Sequence, residues 1–256
     1  MKRCLMGAPI RALVSLAMFG SAQVAPGLRP ASAHGPTPAG AQPAASAQDS
    51  TAARPPAPAT AGADTIPRTA DSSLVANLRR GGYIIVFRHA ATNWDEKDAA
   101  GEDFENRAAQ RNLSGQGRAD AAAIGKALAT LAVPIDSVFA SPMWRCRDTA
   151  ELAFGRYEKM VELFRKGPVY RETRTRMLGT KPLEGKNRVL VGHQDPLIPI
   201  IPGLHRDQLK EGDALVIEPL GDRKYKVVSQ VTPADWTRLA AAYPAPVKRP
   251  TAKAAE

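Results

Sequence analysis

Apolar residues in this chain of 256 residues form short runs that polar turns separate. The run Tyr83-Ile84-Ile85-Val86-Phe87 is continuous and rich in β-branched residues, as in a strand buried on both faces of a parallel sheet. Four further strands are predicted at residues 138–140, 189–193, 214–217 and 225–228. The last two read as a pair at the edge of the sheet, joined by a turn at Gly221-Asp222.

Helical spacing of apolar residues appears between these strands. Helices are predicted over residues 73–78, 114–128, 143–154 and 233–242, with an exposed helix over residues 171–178. Strands that alternate with helices predict an α/β domain with a mainly parallel sheet. Ligands bind beyond the carboxyl ends of the strands in such sheets, and His89 and His193 both fall at such ends.

The first 70 residues differ in composition from the rest of the chain. A basic start at Lys2 and Arg3, an apolar run ending near Phe19 and the triplet Ala31-Ser32-Ala33 predict a signal peptide over residues 1–33. An Ala/Pro-rich, disordered linker is expected over residues 34–70, the folded domain over 71–244, and a basic flexible tail over 245–256. We therefore expect a periplasmic or secreted protein without stable membrane insertion once the signal is cleaved.

Net charge and cysteine content limit the kinds of ligand and metal site that the chain can have. The net charge of +10 favours anionic ligands, and no nucleic-acid-binding motif accompanies it, so a nucleic-acid partner is not expected. Removal of the signal peptide leaves Cys146 as the single cysteine, which rules out an internal disulfide and a cysteine-based metal site. Cys146 is expected to be a small buried side chain on a helix. No cofactor and no metal are predicted.

Two arginines and two histidines have positions that suit phosphoryl transfer. The planar guanidinium groups of Arg88 and Arg145 match the oxygens of a phosphate group. A neutral imidazole at His89 can attack phosphorus, and a second imidazole at His193 can donate to the oxygens of the transferring group. Positioning and charge stabilisation are the main requirements of this reaction, so the set is sufficient without a metal.

Four sequence blocks carry a resemblance to a known family. They are Arg88-His89-Ala90-Ala91-Thr92, Leu113-Ser114-Gly115-Gln116-Gly117, Ser141-Pro142-Met143-Trp144-Arg145 with Thr149-Ala150, and Val191-Gly192-His193. In this order they resemble the motifs of the histidine phosphatase superfamily, also called phosphoglycerate mutase-like, of which the chain would be a small exported member. The resemblance extends from about Gly82 to Trp236.

The resemblance implies a fold, a reaction and roles for named residues. The fold would be a three-layer sandwich with a mainly parallel central sheet. His89 would be the phosphorylated residue, with Arg88, Arg145 and His193 completing the phosphate pocket and Thr92 adding a hydroxyl contact. The expected activity is that of a histidine acid-type phosphatase, a metal-independent phosphomonoester hydrolase acting on a phosphorylated small molecule or a component of the cell envelope. The alternatives are a phosphomutase or phosphotransferase, and a non-catalytic module that binds a phosphorylated ligand.

The residue that protonates the leaving group is left open among three carboxylates. Glu211 is favoured because it precedes a strand that ends near the pocket, and Glu172 and Asp195 are the alternatives. Ala90 and Asp95 depart from the family pattern, which carries a glycine and in many members an asparagine there. The negative charge of Asp95 would disfavour contact with phosphate.

Only two segments are long enough to cover the pocket, residues 94–112 and 160–187. Neither can form a large cap domain, so an open pocket is expected. Arg107, Arg111 and the group from Arg171 to Arg176 are expected to form a solvated basic face rather than to contact a second anionic feature of the substrate.

Overall fold

A computed structural model describes residues 65–246 of the chain. The predicted signal peptide, residues 34–64 of the linker and residues 247–256 of the tail lie outside these residues. The described helices are α1 (Ser72–Arg80), α2 (Gly115–Thr130), α3 (Trp144–Phe154), α4 (Pro168–Gly179) and α5 (Pro233–Ala242). The described strands are β1 (Ile84–Arg88), β2 (Ile135–Ala140), β3 (Glu158–Lys159), β4 (Asn187–Gly192), β5 (Ala214–Gly221) and β6 (Lys224–Val231).

The strands form one mixed sheet in the order β3-β2-β4-β1-β5-β6. Neighbours from β3 to β1 are parallel, whereas β5 is antiparallel to both β1 and β6. The hairpin between β5 and β6 turns at Asp222 and Arg223, which both have positive φ, as a two-residue hairpin turn requires. The predicted pair of strands at the sheet edge is therefore confirmed.

The central strand β1 explains why the sheet is covered on both faces. Its residues Ile84, Ile85, Val86 and Phe87 are each at most 1% exposed. Because side chains alternate along a strand, Ile85 and Phe87 enter one hydrophobic core while Ile84 and Val86 enter the other. A continuous apolar run thus indicates burial on two sides, as the sequence predicted.

Helices α1, α2, α3 and α5 supply the first core, which includes Leu78, Ile124, Cys146 and Trp236. The second core lies against α4 and the segment after β4, with Leu178, Ile201 and Leu209 among its members. The result is an α/β fold with three layers and a mainly parallel sheet, which confirms the predicted fold class. Cys146 is fully buried on α3, also as predicted.

Helix α4 is only partly exposed, and here the prediction of an exposed helix was wrong. Arg174 and Leu178 are 2% and 1% exposed. The guanidinium group of Arg174 donates hydrogen bonds to the main-chain oxygens of Glu162 and Arg165. These carbonyl groups satisfy a buried cation, so an arginine is buried where the sequence pattern places it in water.

Residues 65–70, which precede α1, pack against the sheet, although the sequence assigns them to the linker. Ile66 is 7% exposed and packs in the second core, and the carbonyl oxygen of Pro67 accepts a hydrogen bond from the amide of Gln230 at 2.7 Å. A single apolar residue in a polar stretch gives no periodic signal, which explains the difference. Within residues 65–246, no helix combines the length and apolar character needed to cross a bilayer.

Helices α2 and α3 approach each other closely at Gly125. A Cβ atom at this position would lie 2.1 Å from the carbonyl oxygen of Ala153, which is a main-chain atom and cannot move without a shift of α3. The absence of a side chain at Gly125 therefore sets the spacing of the two helices that flank the candidate site.

We expect Gly125→Ala to lower the free energy of unfolding by about 1–3 kcal/mol, because the helices must separate to admit a methyl group. Gly115→Ala, in the same helix, is the matched control: a Cβ there meets no atom within 4 Å, so the variant should be at least as stable as the wild type. Urea unfolding of both variants measures the difference. Equal stabilities would contradict the close approach.

Candidate active site

His89 lies at the carboxyl end of β1 and is 3% exposed. Its Nδ1 is 3.0 Å from the carbonyl oxygen of Ala90. A carbonyl oxygen only accepts hydrogen bonds, so Nδ1 carries the proton and the lone pair of Nε2 is free. Burial, followed by the charge of Arg145, holds the pKa of His89 well below its usual range. His89 is therefore a neutral imidazole with a nucleophilic nitrogen.

His193 follows β4 and lies beside His89. Arg88 and Gly192 are partners in the parallel pairing of β1 with β4, so the residues that follow them leave the sheet together. The two ring centroids are 5.3 Å apart, with the rings inclined at 65°. Burial, and next the proximity of His89, holds the pKa of His193 well below its usual range.

Arg88 and Arg145 bring positive charge to these histidines. Arg88 donates from Nη1 to the carbonyl oxygen of Leu209 at 2.8 Å, which fixes its direction. Arg145, in the first turn of α3, donates from Nη1 to Asp98 Oδ1 at 3.0 Å. The structure thus brings together the four residues predicted for the phosphate pocket, namely Arg88, His89, Arg145 and His193.

Arg111 is a third arginine of the same pocket, and its predicted place on a solvated face was wrong. Its side chain is 17% exposed, and its guanidinium carbon lies 4.0 Å from the centroid of the Trp94 ring. Burial, followed by the charge of Arg145, lowers the pKa of Arg111. The Nε atoms of Arg111 and Arg145 are buried and have no acceptor within residues 65–246. An anion in the pocket would offset the cost of burying these cations.

The pocket is a cavity of about 660 Å³. Its walls consist of Arg88, His89, Trp94, Glu102, Arg111, Arg145, Phe164, Arg165, Lys166, His193, Gln194, Asp195, Pro196, Arg206 and Asp207. Both segments that the sequence offered as cover contribute to these walls, residues 94–112 through Trp94 and Glu102 and residues 160–187 through Phe164. Six cations face three carboxylates here, so the cavity favours an anionic ligand.

The first of these segments is fastened to α3. Arg107 forms two hydrogen bonds of 2.6 Å with the carboxylate of Asp148, and the Trp144 amide donates to Gln110 Oε1 at 2.9 Å. The guanidinium groups of Arg107 and Arg147 lie 4.0 and 3.5 Å from the centroid of the Trp144 ring. Arg107 therefore holds the wall in place, while its side chain stays 41% exposed, as expected of a residue on a solvated face.

The first turn of helix α2 packs against the loop that follows His89. Ser114 caps this helix, and its amide donates to the carbonyl oxygen of Ala91 at 3.0 Å. A Cβ atom at Gly117 would lie 1.9 Å from the same oxygen, so only glycine permits the contact. The Leu-Ser-x-x-Gly block of the sequence thus positions the loop that carries the candidate nucleophile.

Glu211 occupies a position unlike that of a general acid. Its carboxylate accepts hydrogen bonds from the Thr92 amide at 2.9 Å, from Thr92 Oγ1 at 3.0 Å and from Arg88 Nη2 at 3.4 Å. All of these partners are donors, so both oxygens of the carboxylate act as acceptors in these contacts. Neither Glu211 nor Thr92 lines the cavity. Their mutual contact accounts for the Thr92 hydroxyl that the sequence assigned to substrate.

The other two candidates for the acid differ in position. Glu172 is exposed on α4, pairs with Arg223 Nε at 3.0 Å and does not line the cavity. Asp195 does line the cavity, where Lys166 Nζ lies 3.0 Å from its carboxylate. Glu102 and Asp207 are two further carboxylates at the wall, which could not be found from the sequence because the irregular segments around them have no periodic pattern. Asp95 is exposed and lies outside the cavity lining.

Among residues 65–246, no cluster of three or more histidine, cysteine, aspartate or glutamate side chains has the arrangement of a metal site.

Comparison with known proteins agrees with the order of these motifs. The model of the family described as Histidine phosphatase superfamily (branch 1) matches residues 84–165. This segment begins at β1 and contains Arg88, His89 and Arg145, whereas His193 lies beyond it. The match supports the resemblance to this superfamily that the sequence blocks indicate. A comparison with curated proteins finds no match.

Several solved structures match this chain at low sequence identity and with TM-scores below 0.5. The protein histidine phosphatase SixA complexed with tungstate is 17% identical, with a TM-score of 0.45, and the match covers 60% of this chain and 98% of that one. A phosphoserine phosphatase mutant from Entamoeba histolytica in complex with phosphoserine is 13% identical, with a TM-score of 0.41, and the match covers 60% of this chain and 98% of that one. A SixA from Agrobacterium tumefaciens, described as a phosphohistidine phosphatase, is 19% identical, with a TM-score of 0.42. The match covers 59% of this chain and 98% of that one. Likeness at this level says nothing about the substrate of this chain.

The low pKa of His89 has a consequence for stability. The unfolded chain binds a proton on this residue near pH 6.5, whereas the folded protein does not until lower pH, so acidification through pH 6.5 favours unfolding. We expect wild type to lose up to about 1.4 kcal/mol from this group between pH 7.5 and 5.5. His89→Asn should remove that part of the pH dependence. Urea unfolding at both pH values measures it, and His205→Asn, at an exposed histidine, should leave it unchanged.

Arg111 should contribute to anion binding. We expect Arg111→Gln to weaken the binding of inorganic phosphate by about tenfold or more, because one charge-assisted contact is lost. Arg171→Gln is the matched control, since Arg171 is an exposed arginine that does not line this cavity. Isothermal titration calorimetry at one ionic strength measures both. If the two variants bind phosphate equally, Arg111 is not part of the phosphate site.

Proposed function

We propose that this protein is a phosphatase of the histidine phosphatase superfamily that hydrolyses phosphomonoesters through a phosphohistidine on His89. The observation that carries the proposal is the free Nε2 of a neutral His89 in a cavity that also contains Arg88, Arg145 and His193. A nucleophile without charge and a cationic cradle for the phosphate are the two requirements of the first step.

The proposed reaction has two steps. Arg88, Arg111 and Arg145 bind the phosphate oxygens, and His89 Nε2 attacks phosphorus as the bond to the ester oxygen breaks, releasing an alkoxide or phenoxide that takes a proton from solvent water. Water then attacks the phosphorus of the phosphohistidine, and His89 leaves as the neutral imidazole with release of inorganic phosphate. The arginines stabilise the charge on the equatorial oxygens in both steps.

The carboxylates at the cavity wall limit the choice of substrate. Asp195 and Glu102 are paired with Lys166 and Arg165, and Asp207 is the third carboxylate of the wall. If none of the three donates a proton to the departing oxygen, esters with stable leaving groups, such as aryl phosphates, should react faster than alkyl phosphates. This preference is the expected signature of a pocket without a dedicated acid.

A non-catalytic module that binds a phosphorylated ligand is the second candidate. It is favoured by one contact, the hydrogen bond between Arg145 and Asp98, which places a protein carboxylate on an arginine of the phosphate site. A phosphomutase is the third alternative, and no contact within residues 65–246 specifically supports it.

Export is part of the proposal on the strength of the sequence alone. The basic start, the apolar run and the small-residue triplet before His34 support a cleaved signal peptide and a periplasmic or secreted protein. A phosphorylated small molecule or a phosphorylated component of the cell envelope would be the substrate in that compartment.

The proposal predicts that His89→Asn loses activity on para-nitrophenyl phosphate by at least about 10³-fold while it still binds inorganic phosphate, since the nucleophile is removed and the arginines stay. His205→Asn is the matched control and should retain full activity. Steady-state kinetics from pH 5 to pH 8 measure both variants. Equal activity of His89→Asn and wild type would eliminate the nucleophile, and a wild type that binds phosphate without turnover would favour the binding module.

A further inference from the structure

The side of His193 that faces away from the cavity contacts two residues of the Ser-Pro block. Ser141 Oγ lies 2.9 Å from His193 Nε2, and Cys146 Sγ lies 3.5 Å from the same nitrogen. Ser141 and Cys146 are both fully buried. No hydrogen bond to His193 Nδ1 is formed within residues 65–246, so the nitrogen available to a ligand in the cavity is Nδ1.

The donors and acceptors around Ser141 decide which nitrogen of His193 carries the proton. The amide of Met143 donates to Ser141 Oγ at 3.4 Å, so the hydroxyl oxygen already accepts one hydrogen bond. The hydroxyl hydrogen needs an acceptor, because a buried donor without one is costly. Ser141 Oγ contacts two acceptors, His193 Nε2 at 2.9 Å and the sulfur of Cys146, and the imidazole nitrogen is the stronger one because a thiol sulfur accepts only weakly.

Cys146 leaves this arrangement undisturbed. Burial raises the pKa of its thiol to about 12, so the sulfur carries its hydrogen. That hydrogen is directed to the carbonyl oxygen of Gly192, with Sγ at 3.6 Å from the oxygen. The sulfur keeps its lone pairs, but a thiol sulfur is a weak acceptor, so Cys146 stabilises a proton on Nε2 less than the Ser141 hydroxyl stabilises a lone pair there.

We propose that the Ser141 hydroxyl acts as a positioning residue that donates to His193 Nε2 and thereby holds the proton of the neutral imidazole on Nδ1. In this tautomer His193 presents an N–H donor to the phosphoryl oxygens. In the other tautomer it presents a lone pair, which phosphate oxygens repel. The inference rests on the proposed function for its catalytic consequence, but the tautomer itself is a property of the folded protein.

The low pKa of His193 agrees with this arrangement, because a neutral ring has one N–H and its location matters. A protonated ring would donate from both nitrogens and would need no tautomer control. Phe164 packs edge-on against the ring at a centroid distance of 5.5 Å, which limits its rotation. The ring is thus held by contact on one side and by a directed hydrogen bond on the other.

The test combines nitrogen NMR with kinetics on the full chain. Long-range proton–nitrogen correlation spectra of histidine-labelled wild type, with His193 assigned by the loss of its signals in His193→Asn, report the tautomer. We expect a protonated Nδ1 and an unprotonated Nε2. In Ser141→Ala we expect a shift toward the opposite tautomer. We also expect kcat to fall at least tenfold, and by no more than the roughly 10²–10³ that removal of a transition-state donor costs, with KM little changed.

Ser229→Ala is the matched control for loss of a buried hydroxyl. Ser229 is fully buried on β6, and its hydroxyl donates to the carbonyl oxygen of Thr69 at 2.8 Å, away from the cavity. This variant should keep the wild-type tautomer and the wild-type kcat. If Ser141→Ala does not fold, the spectrum of wild type alone decides the question.

The outcomes separate the two proposals. A wild-type His193 with its proton on Nε2 overturns the role of Ser141, whatever the activity. A loss of activity in Ser141→Ala without a change of tautomer overturns it as well. A wild type without turnover whose His193 has the expected tautomer, shifted in Ser141→Ala, supports the role of Ser141 and rejects the phosphatase.

Discussion

The site depends on the parallel pairing of β1 with β4. This pairing aligns Arg88 with Gly192, and a hydrogen bond of 3.0 Å from the His89 amide to the Gly192 carbonyl oxygen extends it by one residue. Both histidines consequently leave the sheet at the same level, from neighbouring strands. A shift of one residue in the register would turn one ring to the opposite face of the sheet. The apolar residues of β1, which enter cores on both faces, resist such a shift.

Electrostatics shape the rest of the pocket. Arg88, Arg111 and Arg145 surround a histidine that burial keeps neutral, and two carboxylates balance part of their charge. Glu211, which lies outside the cavity, pairs with Arg88 and Arg111 and accepts a hydrogen bond from the Thr92 hydroxyl. Asp98 contacts Arg145 directly, so a phosphate bound as the proposed function requires would share Arg145 with this carboxylate. The protein thus supplies carboxylates that offset part of the charge of a cationic cluster.

The strands, the helices and four pocket residues could be predicted from the sequence because their signals are local. Apolar runs and helical spacing located the elements, and strand ends located His89 and His193. Arg111, Glu102 and the half-buried α4 were misjudged or missed for another reason. Their positions depend on contacts between distant segments, such as Arg111 with Trp94 or Arg174 with the carbonyl oxygens before α4. A polar residue that tertiary contacts bury looks the same in sequence as one in water.

Glu211 illustrates the same limit within the site. Its place before β5 correctly indicated nearness to Arg88, but nearness does not distinguish a proton donor from a carboxylate that accepts four contacts from donors. The distinction rests on the partners of each oxygen, which only the folded structure supplies. For this reason the place of His89 in the pocket was predictable from the motif, whereas the contacts of the carboxylates around it were not.

The most direct test of the central claim is the chemical identity of the phosphorylated intermediate. The protein is quenched in alkali during turnover of para-nitrophenyl phosphate, digested, and analysed by mass spectrometry and phosphorus NMR. Because Nδ1 of His89 donates to the Ala90 carbonyl oxygen, the phosphoryl group should be found on Nε2 of His89. Phosphorylation of Nδ1 or of another residue during active turnover, or turnover without any phosphorylated protein, would contradict the proposed mechanism.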